Sequence, residues 1–112
     1  MQDSDALKQL VVTAMEDAKA QDITVLDLRG RTALCDFMVV ASGTSLRHLQ
    51  TIAERVELQA KAAGQPPLGV EGTRDSEWIL VDLADVVAHV MLPATRAFYN
   101  LEKLWSELEP EG

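Results

Sequence analysis

Between Asp3 and Ala20, Leu7, Leu10, Val11, Ala14 and Ala18 recur at spacings of three and four, which places them along one side of a helix. Asp3 or Ser4 stands where its first turn needs a cap. The period then changes. Ile23 to Arg29 is rich in branched residues and predicts a strand closed by Gly30. Cys35 to Ala41 is apolar almost throughout after Asp36, as a central strand buried on both faces requires. Ser42-Gly43-Thr44-Ser45 leads into a second helix, with Thr44 or Ser45 as its cap and Leu49, Ile52, Ala53, Val56, Ala60 and Ala63 on its apolar face. Gly64 marks its end, and Pro66 and Pro67 prevent it from continuing.

In the second half, Val70-Glu71-Gly72-Thr73 predicts a short edge strand, and Trp78 to Leu83 and Val86 to Leu92 predict two longer ones ending at Pro93. Ala84-Asp85 between them has hairpin spacing, as a two-residue turn or inside a four-residue loop. Arg96 to Leu108 reads as one last helix or two short ones, with residues 106–112 as a frayed tail. The order predicts an α/β fold: one compact domain, residues 1–112, with a mixed sheet of about five strands and helices packed on it.

Either hairpin loop gives the same parity: Asp82 faces Val87, Leu80 faces His89 and Trp78 faces Met91. Ile79, Val81, Leu83, Val86, Ala88 and Val90 then form one core surface for helices to cover. Trp78, Leu80, Asp82, Val87, His89 and Met91 form the other, which is half apolar and carries an acid and a histidine on adjacent strands. Large anchors among a few polar groups suit a protein-binding surface. The alternative is a second, smaller core under the C-terminal helix.

With 112 residues, 47% of them hydrophobic and 25% charged, the chain fits one folded domain. No apolar run is long enough to span a bilayer, and the acidic start, Met-Gln-Asp-Ser-Asp, is unlike a signal peptide. The single cysteine, Cys35, agrees with a reducing compartment, so a cytoplasmic location is expected. The net charge of −8 repels a phosphate backbone, and no basic run offsets it. Little or no direct RNA binding is expected. On a nucleic-acid machine the chain should touch a basic protein.

Catalytic signals are sparse. Asp82 and His89 could pair as acid and base, yet no nucleophile accompanies them. Cys35, His48 and His89 are not at metal-ligand spacing, and Cys35 reads as a small buried hydrophobe. The Gly43 turn could bring amides to a phosphate, but it lacks the glycines and lysine of nucleotide-binding loops. A tight turn needing glycine's freedom is the simpler account. Glycine-serine before a helix also occurs in nucleotidyltransferases, which need paired carboxylates for Mg²⁺. Pro-Pro-Leu-Gly-Val-Glu-Gly follows the helix here, with no such pair. An enzyme using Gly43 and Asp36 is the rival reading. Near the C-terminus, helical spacing places Phe98, Leu101 and Trp105 on a core side, with Tyr99 and Glu102 nearer another.

These segments carry a family resemblance. Cys-Asp-Phe-Met-Val-Val-Ala-Ser-Gly-Thr-Ser (35–45), Val-Glu-Gly (70–72), Ser-Glu-Trp-Ile-Leu-Val-Asp (76–82), Asp-Val-Val-Ala-His-Val-Met (85–91) and Arg-Ala-Phe-Tyr-Asn-Leu-Glu-Lys-Leu-Trp (96–105) follow, in order, the pattern of the ribosomal silencing factor (RsfS/Iojap-like) family. Leu83-Ala84 stands where many members have Tyr-Gly, and Met91 where Phe is common. The resemblance implies a nucleotidyltransferase-like fold without an active site, hence no enzyme and no cofactor or metal. It also implies binding to the large ribosomal subunit through its protein number fourteen, with steric blocking of subunit joining and repression of translation under nutrient limitation. Large-subunit assembly through the same site is the alternative function. Homodimers of the free protein are implied as well. By position, the resemblance points to Trp78, Leu80, Asp82, His89, Arg96, Tyr99, Glu71 and Glu102 as partner-binding residues.

Overall fold

The computed structural model describes residues 3–72 and 75–106, without the side chains of 104–106. Helix α1 (Ser4–Asp17) starts at Asp3, whose carboxylate accepts the Ala6 N–H at 2.7 Å. Strand β1 (Gln21–Asp27) returns along β2 (Phe37–Ser42), and α2 (Leu46–Ala62) follows with Ser45 as its cap. The edge strand β3 (Gly69–Glu71), the hairpin β4 (Trp78–Asp82) and β5 (Val86–Met91), and the short helices α3 (Pro93–Tyr99) and α4 (Leu101–Ser106) complete the described chain.

The sheet order is β1-β2-β5-β4-β3, with β2 and β5 parallel and every other neighbouring pair antiparallel. All six residues of β2 are buried, as the apolar run requires of a strand in the middle of the sheet. The α2 crossover lets β2 and β5 run parallel. Helices α1 and α2 cover one face, where Val11, Met15, Val39, Ile52, Val56, Val81, Val86 and Val90 form the main core. The hairpin register matches the expected parity: Trp78 opposite Met91, Leu80 opposite His89, Asp82 opposite Val87.

The bounds of β1 and β2 differ from expectation, while β3, β4 and β5 are each displaced or shortened by a residue or two at an end. β1 lies at 21–27 rather than 23–29, because Leu28 turns inward to a buried position and the chain enters through an irregularity between Gln21 and Thr24. Asp22 at φ 50° accommodates that entry. β2 begins at Phe37 and extends through Ser42, whose side chain is also buried.

Gly43 does follow β2 in a tight turn, but for a different reason from the expected one. It is absent from the residues at positive φ, and a Cβ there would stand 2.6 Å from Leu49 Cδ2 and 3.3 Å from His48 Nδ1. Space, rather than backbone freedom, selects glycine here.

The β4–β5 turn needs that freedom instead. Leu83 N–H donates to the Val86 carbonyl and Asp85 N–H to the Leu83 carbonyl, with Ala84 between them at φ 69°. An L-residue in this region is strained by about 1–2 kcal/mol, part of which glycine gives back through its greater freedom when unfolded. Ala84→Gly is therefore expected to raise stability by about 0.5–1 kcal/mol, and Ala84→Val to lower it. Equilibrium urea unfolding checks both; equal stability of the three proteins would contradict the strain.

Candidate functional site

The second face of the sheet divides into a covered half and an open half. Leu28, Cys35, Met38, Val40 and Met91 form a small buried core there, joined by the partly buried Leu26, Trp78, Val87 and Leu101. The α4 residue Leu101 supplies part of the cover. Leu80 and Asp82 on β4 are only half-buried, and Glu71 on β3 is exposed. The second-core reading thus holds for the covered half, and the other half stays exposed.

Arg96 fixes the boundary. Its Nε donates to Glu102 Oε1 at 2.7 Å and Nη2 to Glu102 Oε2 at 3.1 Å, a bidentate pair between α3 and α4. Nη1 donates to Ser42 Oγ at 2.9 Å and Nη2 to Thr24 Oγ1 at 3.0 Å. One guanidinium therefore ties both short helices to the middle of β1 and the end of β2. Between the helices, Asn100 adopts the left-handed conformation at φ 47°, and its Oδ1 accepts the Lys103 N–H at 3.3 Å. It ends α3 and opens α4.

That break corrects the expected helical face. Phe98 is 81% exposed, while Leu101 packs on the second core, because the two do not lie on one continuous helix. Trp105, expected beside them, has a side chain outside the described residues, as do residues 107–112 of the expected tail.

His89 is buried, and its partner is Trp78 rather than Asp82. The indole N–H donates to His89 Nδ1 at 2.9 Å. An indole can only donate, so Nδ1 is unprotonated and the ring hydrogen sits on Nε2. Nε2 is buried with no hydrogen-bond partner among the described residues. Burial lowers the imidazole pKa from 6.5 to about 4. Asp82 instead accepts the Ala84 N–H at 2.8 Å, steadying the turn. The possible Asp82–His89 pairing is therefore not formed, and an aromatic hydrogen bond takes its place.

From His89 the aromatic residues step outward. Trp78 lies 5.6 Å from the His89 ring and 4.9 Å from Tyr99, and Phe98 meets Tyr99 edge to face at 5.0 Å. Tyr99 is 53% exposed. Of the residues expected to bind a partner, Trp78, Leu80, Asp82, Glu71 and Tyr99 retain accessible surface around β3, β4 and α3, whereas His89, Arg96 and Glu102 are engaged internally. Sequence reasoning assigned Phe98 to the core; the signal for its exposure was Asn100, a common left-handed helix end.

The rival enzymatic residues are not brought together. Asp36 precedes β2 and Gly43 follows it, so they are separated by a strand length of about 20 Å. The amides near Gly43 already have partners: Gly43 N–H donates to the Met91 carbonyl, Thr44 N–H to His48 Nδ1, and His48 N–H to Ser45 Oγ. His48 Nε2–H in turn donates to the Ala18 carbonyl at 2.9 Å, tying α2 to the end of α1. His48 and His89 thus belong to opposite sides of the sheet. Among the described residues, no three His, Cys, Asp or Glu side chains are grouped to hold a metal, and no helix is long and apolar enough to cross a membrane.

Two titrations should make stability fall with acid. The lowered His89 pKa gives stability that is complete above about pH 6.5 and is lost as pH falls toward about 4. Hydrogen bonding from Arg96 holds the Glu102 pKa below its ordinary 4.5, giving a second contribution lost at still lower pH. His89→Gln should flatten the first limb, and Glu102→Gln the second at a cost of about 1 kcal/mol at neutral pH. Urea unfolding across the pH range checks this; an unchanged first limb in His89→Gln would contradict its assignment.

The comparisons with known proteins converge. Residues 1–111 match the family model described as "Ribosomal silencing factor during starvation". A ribosomal silencing factor from Chromobacterium violaceum is 43% identical over 104 residues, covering 93% of this chain and 85% of the relative. One from Halalkalibacterium halodurans is 39% identical, covering 95% and 93%. The mouse protein named "Mitochondrial assembly of ribosomal large subunit protein 1" is 34% identical, covering 87% of this chain and 44% of its own length. A crystal structure of a Chromobacterium violaceum protein superposes with a TM-score of 0.90 at 41% identity, covering 98% of this chain and 92% of that one. With the family model matched across nearly its whole length and its fold shared with this relative, the chain belongs to the ribosomal silencing factor family.

Proposed function

We propose that this protein binds the large ribosomal subunit through ribosomal protein number fourteen and sterically blocks joining of the small subunit, repressing translation when nutrients are limited. The observation that carries the reading is the family match over residues 1–111. The structure adds a physical basis. The open part of the second face offers Trp78, Leu80 and Tyr99 as large contacts, with Asp82 and Glu71 beside them. Carboxylates around apolar anchors suit a basic ribosomal protein, and the net charge of −8 disfavours the surrounding RNA. Blocking requires only occupancy of a bridge position, so no catalytic step is invoked. The cytoplasm is the matching location, and a homodimer when free belongs to the same reading.

A second reading, assembly of the large subunit, is favoured by the name of the mouse relative. Cells lacking the protein distinguish the two: precursor large subunits accumulate during rapid growth if assembly is the role, whereas silencing predicts excess joined ribosomes in starvation.

The direct test is co-sedimentation with isolated subunits, followed by joining on addition of the missing partner. The protein should pellet with large subunits alone and reduce the yield of joined ribosomes. Pelleting with small subunits only, or unchanged joining at saturation, contradicts the proposal. Tyr99→Ala should weaken large-subunit affinity by about 1–2 kcal/mol, and Asp82→Lys should be worse than Asp82→Ala because it places like charge against the partner. Val81→Ala should lower stability by about 2 kcal/mol while leaving the affinity of folded protein unchanged.

A further inference from the structure

Between α3 and the segment leading into β4 lies an open groove of about 620 Å³, with Glu77, Trp78, Ala94, Thr95, Phe98 and Tyr99 among its lining residues. Its aromatic wall is arranged at angles rather than stacked. Trp78 and Tyr99 are tilted by 52°, and Phe98 and Tyr99 by 85°. In an edge-to-face pair at least one ring keeps both π-faces free of the other, and π-faces attract cations. Phe98 is 81% exposed and, together with Tyr99 and Trp78, makes a contiguous aromatic patch rather than a lone exposed side chain.

Two contacts hold this wall in place without help from a ligand. The hydrogen bond to His89 fixes one end of the Trp78 indole, so the ring is not free to swing into the groove. Across the groove, Glu77 Oε1 accepts from the Thr95 hydroxyl at 3.3 Å, which links the β4 approach to α3 and places a carboxylate beside the rings. Pinned aromatic faces next to a carboxylate form a receptor for a planar cation, which can stack on a ring while donating to the carboxylate.

We propose that the groove receives an arginine side chain from a basic protein segment. The inference rests on the docking surface proposed above and adds the chemistry of one anchoring contact within it. Charge complementarity selects this occupant over an apolar one. A leucine or phenylalanine would gain contact with the rings but would desolvate the Glu77 carboxylate without giving its charge a cationic partner. Guanidinium satisfies both walls.

The test uses the full chain and two small probes: N-acetyl-arginine amide, and N-acetyl-citrulline amide, which keeps the planar shape without the charge. The NMR signals of the Trp78 indole N–H and of the Phe98 and Tyr99 rings are followed on titration. The arginine probe should shift them saturably, and the citrulline probe should do so at least fivefold more weakly. Glu77→Gln, which keeps an Oε1 acceptor for Thr95 and removes only the charge, should weaken the arginine response severalfold, and Phe98→Leu should do likewise. Equal responses to both probes, or arginine shifts confined to other residues, overturn the assignment.

A second arm separates this inference from the function on which it rests. Wild-type protein, Glu77→Gln and Phe98→Leu are pelleted with large subunits. Loss of affinity in both variants supports the groove as an anchor. Wild-type pelleting that both variants retain in full overturns the anchor and leaves the functional reading standing. Failure of the wild type to pellet overturns that reading, while the probe titration still reports on the groove by itself.

Discussion

The structure depends on a shortage of helix. A sheet of five strands has two faces, and α1 and α2, of 14 and 17 residues, are long enough to cover one of them. Among the described residues, the other face receives only α3 and α4, of 7 and 6 residues. At 1.5 Å per residue α4 is about 9 Å long, whereas five strands span about 19 Å. It can cover about half the width. Arg96, through Glu102, Ser42 and Thr24, determines which half by anchoring the short helices toward β1 and β2.

The division separates two kinds of chemistry on one surface. In the covered half, polar groups must find partners inside the protein. Arg96 does so through four hydrogen bonds, two of them to Glu102, and His89 does so at Nδ1 while its Nε2–H has no partner among the described residues. In the open half, apolar side chains remain beside carboxylates because no element among the described residues covers them. The covered half therefore holds the open half rigid: His89 orients Trp78, Trp78 packs on Tyr99, and the Arg96 clamp fixes the helix that carries Tyr99 and Phe98. A preorganised surface of this kind loses little conformational freedom on docking. This suits a family described by silencing rather than by a reaction.

Much of this was legible in the sequence because it depends on local periods. The burial of β2, the caps at Asp3 and Ser45, the end of α2 near Gly64 and the parity of the β4–β5 hairpin each follow from residues close together in the chain. Three features were not legible for a shared reason. The Arg96 clamp joins residues 54 and 72 positions apart, and nothing in the local pattern marks Ser42 or Thr24 as its acceptors. His89 stands opposite Leu80, so Trp78 and Asp82 are its two diagonal neighbours; alternation cannot choose between them, whereas the twist of the strand pair brings one diagonal closer. The exposure of Phe98 depends on whether the helix continues through Asn100, and helical spacing alone assumes that it does. The candidate face was thus readable as a set of residues, but its partition into a covered and an open half required the tertiary structure.

The central claim is that the half of the second face left open by α3 and α4 is the docking surface. Hydrogen exchange of the full chain, free and bound to isolated large subunits, tests it most directly. The account predicts slowed exchange in β3, the start of β4 and α3, with α1 and α2 unchanged. Protection concentrated on α1 and α2, with β4 and α3 exchanging as in the free protein, would contradict it.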